Sequence, residues 1–437
     1  MKSRVRVWVA IIGVPLSAAA QSPGQAVPMV TLHEARRRSA EVDPSNVTAR
    51  TQVETAAWER RAAVADVFTP RVEANTSYIR FSDPFFNFGT GTISPNATSA
   101  QLQASYTLLG AGKYGELKRS RAALTSAEAS ETVTTYRTAL ATDAAYFTVL
   151  AVRELSRVAA QRLRRAQEQL GIARVRVVAG DALATDSLQL LLEVNRARLA
   201  VLQSDSAVAV SRLRLGRQIG LPGSVDASPV DTVAPPALPL SQELAVRELR
   251  ERGPEIEAMR AAEQSADAAM SVQREGYLPH VSIAATTGAY DAEFFPSAFK
   301  RTQFQLNVSL PIWNGGQREV AVARARAQRD LAKAQREDGE RAAAQLMSEA
   351  YLGYQTSRAG FELARVGVAV ASENYRVQRT RYQEGATSIL DLMEAQVTLS
   401  EAEANLVQSR YAARLALAQI ESLLGRRIFE TQNPTNR

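Results

Sequence analysis

The stretch GATSILDLMEAQVTLSEAEANLVQSRYAARLALAQIESLLG (385–425) decides how this chain is built. It opens on a glycine, and Ser388-x-x-Asp391 then reads as a capping box that starts a helix. From there Leu392, Ala395, Leu399, Ala402, Leu406, Ser409, Ala413, Ala416, Ile420 and Leu423 step by three and four without a slip. That is a coiled-coil seam, and its many small residues let helices approach closely. Upstream, Gly316 to Gly385 spans about 69 residues, ~100 Å as a helix at 1.5 Å per residue. No proline falls between Pro311 and Pro434. Proline costs ~3 kcal/mol inside a helix, so the run predicts a continuous rod. No compact domain needs that reach: the chain runs along a long helix, turns at a glycine and returns.

The same design occurs once before. No proline lies between Pro95 and Pro222, Gly112 to Gly180 spans about 68 residues, and Leu190, Val194, Ala197, Val201, Ser204, Val208, Ser211 and Leu215 form a second seam. Phe68-Thr69-Pro70-Arg71-Val72 matches Tyr277-Leu278-Pro279-His280-Val281, and LLGAGK (108–113) matches IWNGGQ (312–317). Gly180, Asp186 and Gly220 match Gly385, Asp391 and Gly425 at a shift of 205. An internal duplication accounts for matches in register. The first repeat is expected over 21–222, with strands at about 71–81 and 99–109 and helices at about 112–179 and 182–219. The second is expected over 241–425, with strands at about 280–290 and 302–312 and helices at about 316–383 and 388–424. LPGSVDASPVDTVAPPALPL (221–240) holds five prolines and reads as an extended linker over 223–240. Residues 426–437 form a C-terminal tail.

Within each repeat the period changes from about 3.5 to 2. In TQFQLNVSLPIW (302–313), Phe304, Leu306, Val308, Leu310 and Ile312 alternate with Gln303, Gln305, Asn307 and Ser309. One face is apolar and the other polar, as in a strand between lipid and a wet lumen. QLQASYTLL (101–109) repeats the pattern; RVEANTSYIRF (71–81) and HVSIAATTGAY (280–290) are weaker partners. Eight of the twelve phenylalanines lie in 81–88 and 294–304, near the outer strand ends, which suits a membrane interface. Taken alone, these strands fit equally a sheet with one face on a soluble core.

Bulk properties narrow the class. MKSRVRVWVAIIGVPLSAAA (1–20) has the basic start, short apolar core and Ala-x-Ala end of a secretory signal peptide. There is no cysteine, so neither a disulfide nor a thiolate metal site nor an acylated N-terminal cysteine is expected. Net charge is +7, three of it in the signal segment, and export argues against nucleic acid as a partner. Two histidines, His33 and His280, make a histidine-based catalytic or metal site a poor reading. Acids are plentiful on the helices, but no nucleophile–base pair or phosphate loop accompanies them, so no enzyme, cofactor or metal site is expected. No segment after 20 approaches the ~20 apolar residues of a membrane helix, so any crossing falls to strands.

Four strands cannot close a barrel in lipid, where every open edge leaves unpaired backbone groups, and single-chain barrels begin at about eight strands. Several chains must share the wall, and three would supply twelve strands above a second, helical wall about 100 Å long. The rival is a secreted or periplasmic coiled-coil scaffold without a pore.

The duplicated halves, the Pro-led strand pairs, the Gly-Gly turn into a long helix and the 385–425 segment together resemble the TolC-type outer-membrane efflux proteins over roughly residues 30–425. The resemblance implies a mainly α chain with a small β part, forming a homotrimer: a twelve-stranded transmembrane β-barrel continued by a periplasmic α-helical coiled-coil barrel. It implies the exit duct of a tripartite efflux pump or type I secretion system. An inner-membrane transporter supplies energy and a periplasmic adaptor docks at the helical tips. Many relatives are lipoproteins; without a cysteine this chain is expected to sit in the outer membrane by its barrel alone. Drugs, metal ions, lipids and proteins all remain open as cargo.

In such a tube Gly180 and Gly385 lie at the periplasmic tip, where glycine suits a left-handed helix C-cap. Asp391 and Glu394 then fall in the first turns of the next helix, with Asp186 at the matching place. A capping box is one account of Asp391, the other being a role at the tip; Leu183 stands where Ser388 stands, so capping fails for Asp186, and an acid kept in both halves favours a separate role. Crowded carboxylates from three chains are expected to raise some pKa values and attract cations. The resemblance places an acidic ring of the closed entrance on Asp391 and Glu394 and a lock between Asp186 and Tyr382. Thr387 stands where the best-known member carries a locking arginine, so the closed state here is expected to be looser or differently tied. Gly180, Asp181, Ala182, Gly385 and Ala386 are the expected adaptor contacts, and also the helix reversals.

Overall fold

A short strand β1 (Met29–Val30) and helix α1 (Leu32–Val42) lead into α2 (Pro44–Phe68). Strands β2 (Arg71–Asn87) and β3 (Thr92–Leu109) form a hairpin that feeds α3 (Lys113–Ala179) and its return helix α4 (Ala184–Gln218). The second half repeats the order: β4 (Asp226–Ala227), α5 (Gln242–Arg252), α6 (Pro254–Arg274), β5 (His280–Asp291), β6 (Phe299–Ser309), α7 (Gln317–Gln383) and α8 (Ile389–Leu424). This computed structural model describes residues 27–87, 91–110, 112–229, 235–296 and 299–429. The expected signal peptide, the middle of the proline-rich segment, Phe88 and the end of the C-terminal tail lie outside the described residues. The chain is mainly α with a small β part.

The two rods, α3 and α7, are 67 residues each. Both start behind a glycine in the left-handed region, Gly112 at φ 90° and Gly316 at φ 78°. Along α7 the inward positions Met347, Tyr354, Phe361, Tyr375 and Tyr382 are all buried and fall on one seven-residue series, in which the half-buried Val368 fills the place between Phe361 and Tyr375. This aromatic column is the register of the second half.

The return helices are about half as long as the rods, 35 residues in α4 and 36 in α8. Beyond them, toward the strands, α2 and α6 take over as neighbours. The helices are ordered α4–α3–α8–α7 below the midline and α2–α3–α6–α7 above it. Helix α7 therefore borders the bundle over its whole length, and Leu363 (73% exposed) and Val370 (65%) stand out from it. Helices α2 and α6 were not legible as such in the sequence. The buried residues of α2 are Asn46, Ala49, Ala56 and Val67, too small and polar to draw an apolar stripe.

At the midline the two termini and the central connection close a belt. Strands β1 and β4 pair in parallel, and the Tyr146 hydroxyl lies 2.7 Å from the Ser228 carbonyl oxygen and 3.2 Å from that of Val30. Val225 and Ala227 are fully buried, and Tyr354 donates to the Pro236 carbonyl at 2.6 Å. The segment read as a linker is thus docked over both flanks of its proline cluster.

The four-stranded sheet has the order β2-β3-β5-β6, antiparallel throughout, with β2 and β6 as open edges. Register sorts its faces. One row reads Val72, Ala104, Ala285, Phe304, and the neighbouring row on the same face includes Tyr106, Ile283 and Leu306. The opposite face carries Glu73, Gln103, Thr286 and Gln303, then Arg71, Ser105, Ala284 and Gln305. Phe304 is 80% exposed and Ile312 86%. Strands β2 and β3, at 17 and 18 residues, outrun the expected ranges and shift register between Arg80 and Phe85. Beside this extension Phe81 packs on Phe85 at 4.7 Å, and Tyr78 meets Phe294 at 6.0 Å. Among the described residues no helix is long and apolar enough to cross a membrane.

Candidate functional site

The two helix reversals sit at the end of the bundle opposite the sheet, and both are built alike. Gly180 has φ 85° and Gly385 φ 76°. In each, the amide after the glycine bonds back five residues: Asp181 to the Arg176 carbonyl at 2.9 Å, Ala386 to the Arg381 carbonyl at 2.8 Å. The glycine amides reach Val177 and Tyr382, both at 3.1 Å. These are Schellman-type caps, which satisfy carbonyls left open at a helix end and need the left-handed glycine. Gly180, Asp181, Gly385 and Ala386 are exposed, and Ala182 is half-buried.

The following helices begin differently. Ser388 caps α8: its hydroxyl accepts from the Asp391 amide at 3.2 Å, while the Asp391 carboxylate accepts from the Ser388 amide at 3.2 Å. The same carboxylate accepts from the hydroxyls of Thr387, at 2.7 Å, and Ser388, at 2.8 Å. The Thr387 hydroxyl above all, then the Ser388 hydroxyl and amide, holds the Asp391 carboxyl below its ordinary 3.8. Leu183 at the start of α4 provides no side-chain cap, and Asp186 occupies the third helical position without that partner. Glu394 is exposed one turn beyond Asp391.

Tyr382 is buried in the apolar core formed by Leu170, Ala173, Leu190, Val194, Ile389, Leu392 and their neighbours. Its hydroxyl has no hydrogen-bond partner among the described residues, so the bond to Asp186 that the resemblance implies is not made in this chain. Burial first, and the Asp186 carboxylate second, push the Tyr382 phenol above its ordinary 10, against the pull of Arg176. Asp186 and Tyr382 are thus near neighbours without a bond. Among the described residues no cluster of three or more His, Cys, Asp or Glu could hold a metal ion.

The residue that sequence reading passed over is Arg176. It lies in the last turn of α3, its guanidinium 5.0 Å over the Tyr382 ring. One nitrogen donates to the Tyr382 carbonyl and another to the Asp181 carbonyl at 3.0 Å. The signal was available: Arg176-x-x-x-Gly180 recurs as Arg381-x-x-x-Gly385 at the same shift of 205.

The model of a family described as outer membrane efflux protein matches residues 245–426. The probable efflux pump outer membrane protein TtgC of Pseudomonas putida is 24% identical over 303 residues, 67% of this chain and 61% of that protein. The pyoverdine export outer membrane protein OpmQ of Pseudomonas aeruginosa is 28% identical over 362 residues, 77% of this chain and 72% of that protein. Among solved structures, the CmeC outer membrane channel of Campylobacter jejuni superimposes with a TM-score of 0.79 at 16% identity, covering 92% of this chain and 87% of that one. That likeness shows a shared fold.

Proposed function

We infer that this chain is a TolC-type outer membrane efflux protein and the outer-membrane exit duct of an export machine. Copies close on one another, three of them by the reading of four strands each, with the sheet as transmembrane barrel and the helices as a conduit below. The observation that carries this is the sheet: Val72, Tyr106, Ile283, Phe304 and Leu306 gather on one face opposite Glu73, Gln103, Gln303 and Gln305, and both edges are unpaired within the chain. An open edge is intolerable in lipid, and a neighbouring copy's β2 beside β6 supplies the missing partner. The same closure sets α7 beside the next copy's α2 above the midline and its α4 below.

The reversals at Gly180 and Gly385 then form the periplasmic tip, where an adaptor contacts Gly180, Asp181, Ala182, Gly385 and Ala386 and an inner-membrane transporter delivers cargo. Asp391 and Glu394 ring the entrance, with Asp186 behind them. The role is passive conduction with gating at the tip, and no bond-making chemistry is assigned.

The test is fractionation followed by planar-bilayer recording. The full chain is expected in the outer membrane, extracted as a trimer that conducts. Asp391→Ala with Glu394→Ala should raise conductance or weaken block by multivalent cations. Unchanged conductance and block reject the acidic ring; a monomeric, electrically silent protein rejects the duct and leaves the scaffold reading.

A further inference from the structure

Toward the strand ends far from the helices, the apolar face of the sheet loses its bulk. Its rows run Val72, Ala104, Ala285, Phe304, then Ala74, Leu102, Thr287, Thr302, then Thr76, Ala100, Ala289, Lys300. Where the small residues gather, a hollow of about 470 Å³ is lined by Ala74, Thr76, Ala100, Leu102, Ala289 and Lys300 among others. One row further out stands Thr98, only 5% exposed, its hydroxyl without a hydrogen-bond partner among the described residues. Tyr78, directly across from Thr98, meets Phe294 at 6.0 Å and flanks that end. A buried hydroxyl left unpaired is costly, so the rim of the hollow has a place for a polar group from outside the chain.

Charge marks the same end. Up to the register shift, the cations on this face are Arg80 on β2 and Lys300 on β6, both exposed. Each stands near the far end of an edge strand, while Arg71 and Arg301 lie on the polar face. The acid that shares the apolar face, Asp291, accepts from the Ala292 amide at 2.7 Å and the Glu293 amide at 3.3 Å, which holds it along its own strand end. Lys300 is the charged side chain that lines the hollow.

We propose that the hollow seats an acyl chain of a phosphorylated glycolipid of the outer leaflet, with Lys300 on a headgroup phosphate. The site rests on the exit-duct reading, which puts the far strand ends in that leaflet, and it names the lipid that the wall selects. An ammonium beside phosphate makes a charge-assisted hydrogen bond, and the missing side-chain bulk leaves room for methylenes below it. The Thr98 hydroxyl then meets an ester carbonyl or a sugar hydroxyl. A free phosphate would find the cation but have no use for the hollow, so the occupant is a lipid. Closing β6 on the next copy's β2 puts Lys300 and the neighbour's Arg80 on one seam, giving a trimer three such sites.

The experiment is native mass spectrometry of the detergent-extracted full-length protein with added lipid, comparing wild type with Lys300→Gln and Ala289→Leu. The probes are bis-phosphorylated lipid A, its phosphate-free form, and phosphatidylglycerol. Losing one cation weakens binding of an anionic lipid about fivefold. Wild type should retain bis-phosphorylated lipid A at up to three per trimer and in preference to both other lipids. Lys300→Gln should weaken that binding about fivefold and leave the phosphate-free form unaffected. Ala289→Leu, which keeps the charge and fills the hollow, should weaken both forms of lipid A. Equal affinity of wild type and Lys300→Gln overturns the site, as does phosphatidylglycerol held as tightly as lipid A. If Lys300→Gln fails to assemble, Ala289→Leu decides, and unchanged retention of lipid A overturns the proposal. A trimer that conducts but retains no lipid A overturns the site and leaves the duct standing. A monomeric, electrically silent protein overturns the duct, and the site with it.

Discussion

The guanidinium of Arg36 on α1 grips the carboxylate of Asp143, fully buried at the middle of α3, through two bonds of 2.6 and 2.7 Å. Arg427 approaches the same carboxylate from the C-terminal side at 3.6 Å and is itself paired with Glu421 at 2.8 Å. One buried acid therefore ties both ends of the chain to the rod. Asp143→Ala removes the buried acceptor of both bonds, and breaking a buried pair costs ~3–5 kcal/mol. Thermal unfolding followed by far-ultraviolet circular dichroism should shift down accordingly. Asp143→Leu combined with Arg36→Met should recover most of the loss, since apolar replacement removes both charges together.

Tyr146 makes the belt alkali-sensitive. Burial, the largest influence, pushes its phenol from 10.0 up to about 12. A group raised in the folded state stabilises the fold fully below its unfolded value and loses that contribution as pH rises through the folded one. Stability should therefore decline between pH 10 and about pH 12. Tyr146→Phe should flatten that limb and, by deleting a buried hydrogen bond to Ser228 or Val30, cost ~1–2 kcal/mol at neutral pH. Denaturant titrations across pH measure both.

Asp391 has the opposite sign. Its carboxyl is held below 3.8, so its contribution to the α8 start is present above that pH and fades as pH falls through the lower folded value. Thr387→Val removes the nearest hydroxyl and should move the Asp391 titration back toward 3.8, read by carbon NMR of labelled aspartate. Hydrogen exchange at the first turn of α8 should accelerate in acid, and earlier in that variant.

Phe304 and Gln305 lie on opposite faces of the four-stranded sheet. Phe304→Arg places a charge where lipid is expected, a cost of ~2–4 kcal/mol near the bilayer midplane. Outer-membrane trimer yield should drop sharply. Gln305→Arg, one residue on and facing the polar side, should assemble normally. Equal yields for the two would place β6 outside the bilayer.

Much of this architecture was legible because it repeats. The rods, the glycine reversals and the β6 alternation each follow a strict period, and the shift of 205 lets one half check the other. What escaped were elements whose partners are remote in sequence. Helix α2 buries alanines against α3, and the strand at Asp226–Ala227 is two residues long and acquires meaning only beside Met29–Val30. At the tip, the capping box at Ser388 and Asp391 is local and could be read directly. For Arg176 the repeated Arg-x-x-x-Gly marked the position but not the partner, since Tyr382 lies 206 positions away and is gripped partly through a main-chain atom that has no sequence signature.

Helix α7 borders the bundle both above and below the midline. In the proposed assembly a single helix would then govern which copies associate, and changes on the outward face carrying Leu363 and Val370 would alter that choice while leaving the helix reversals and the sheet untouched.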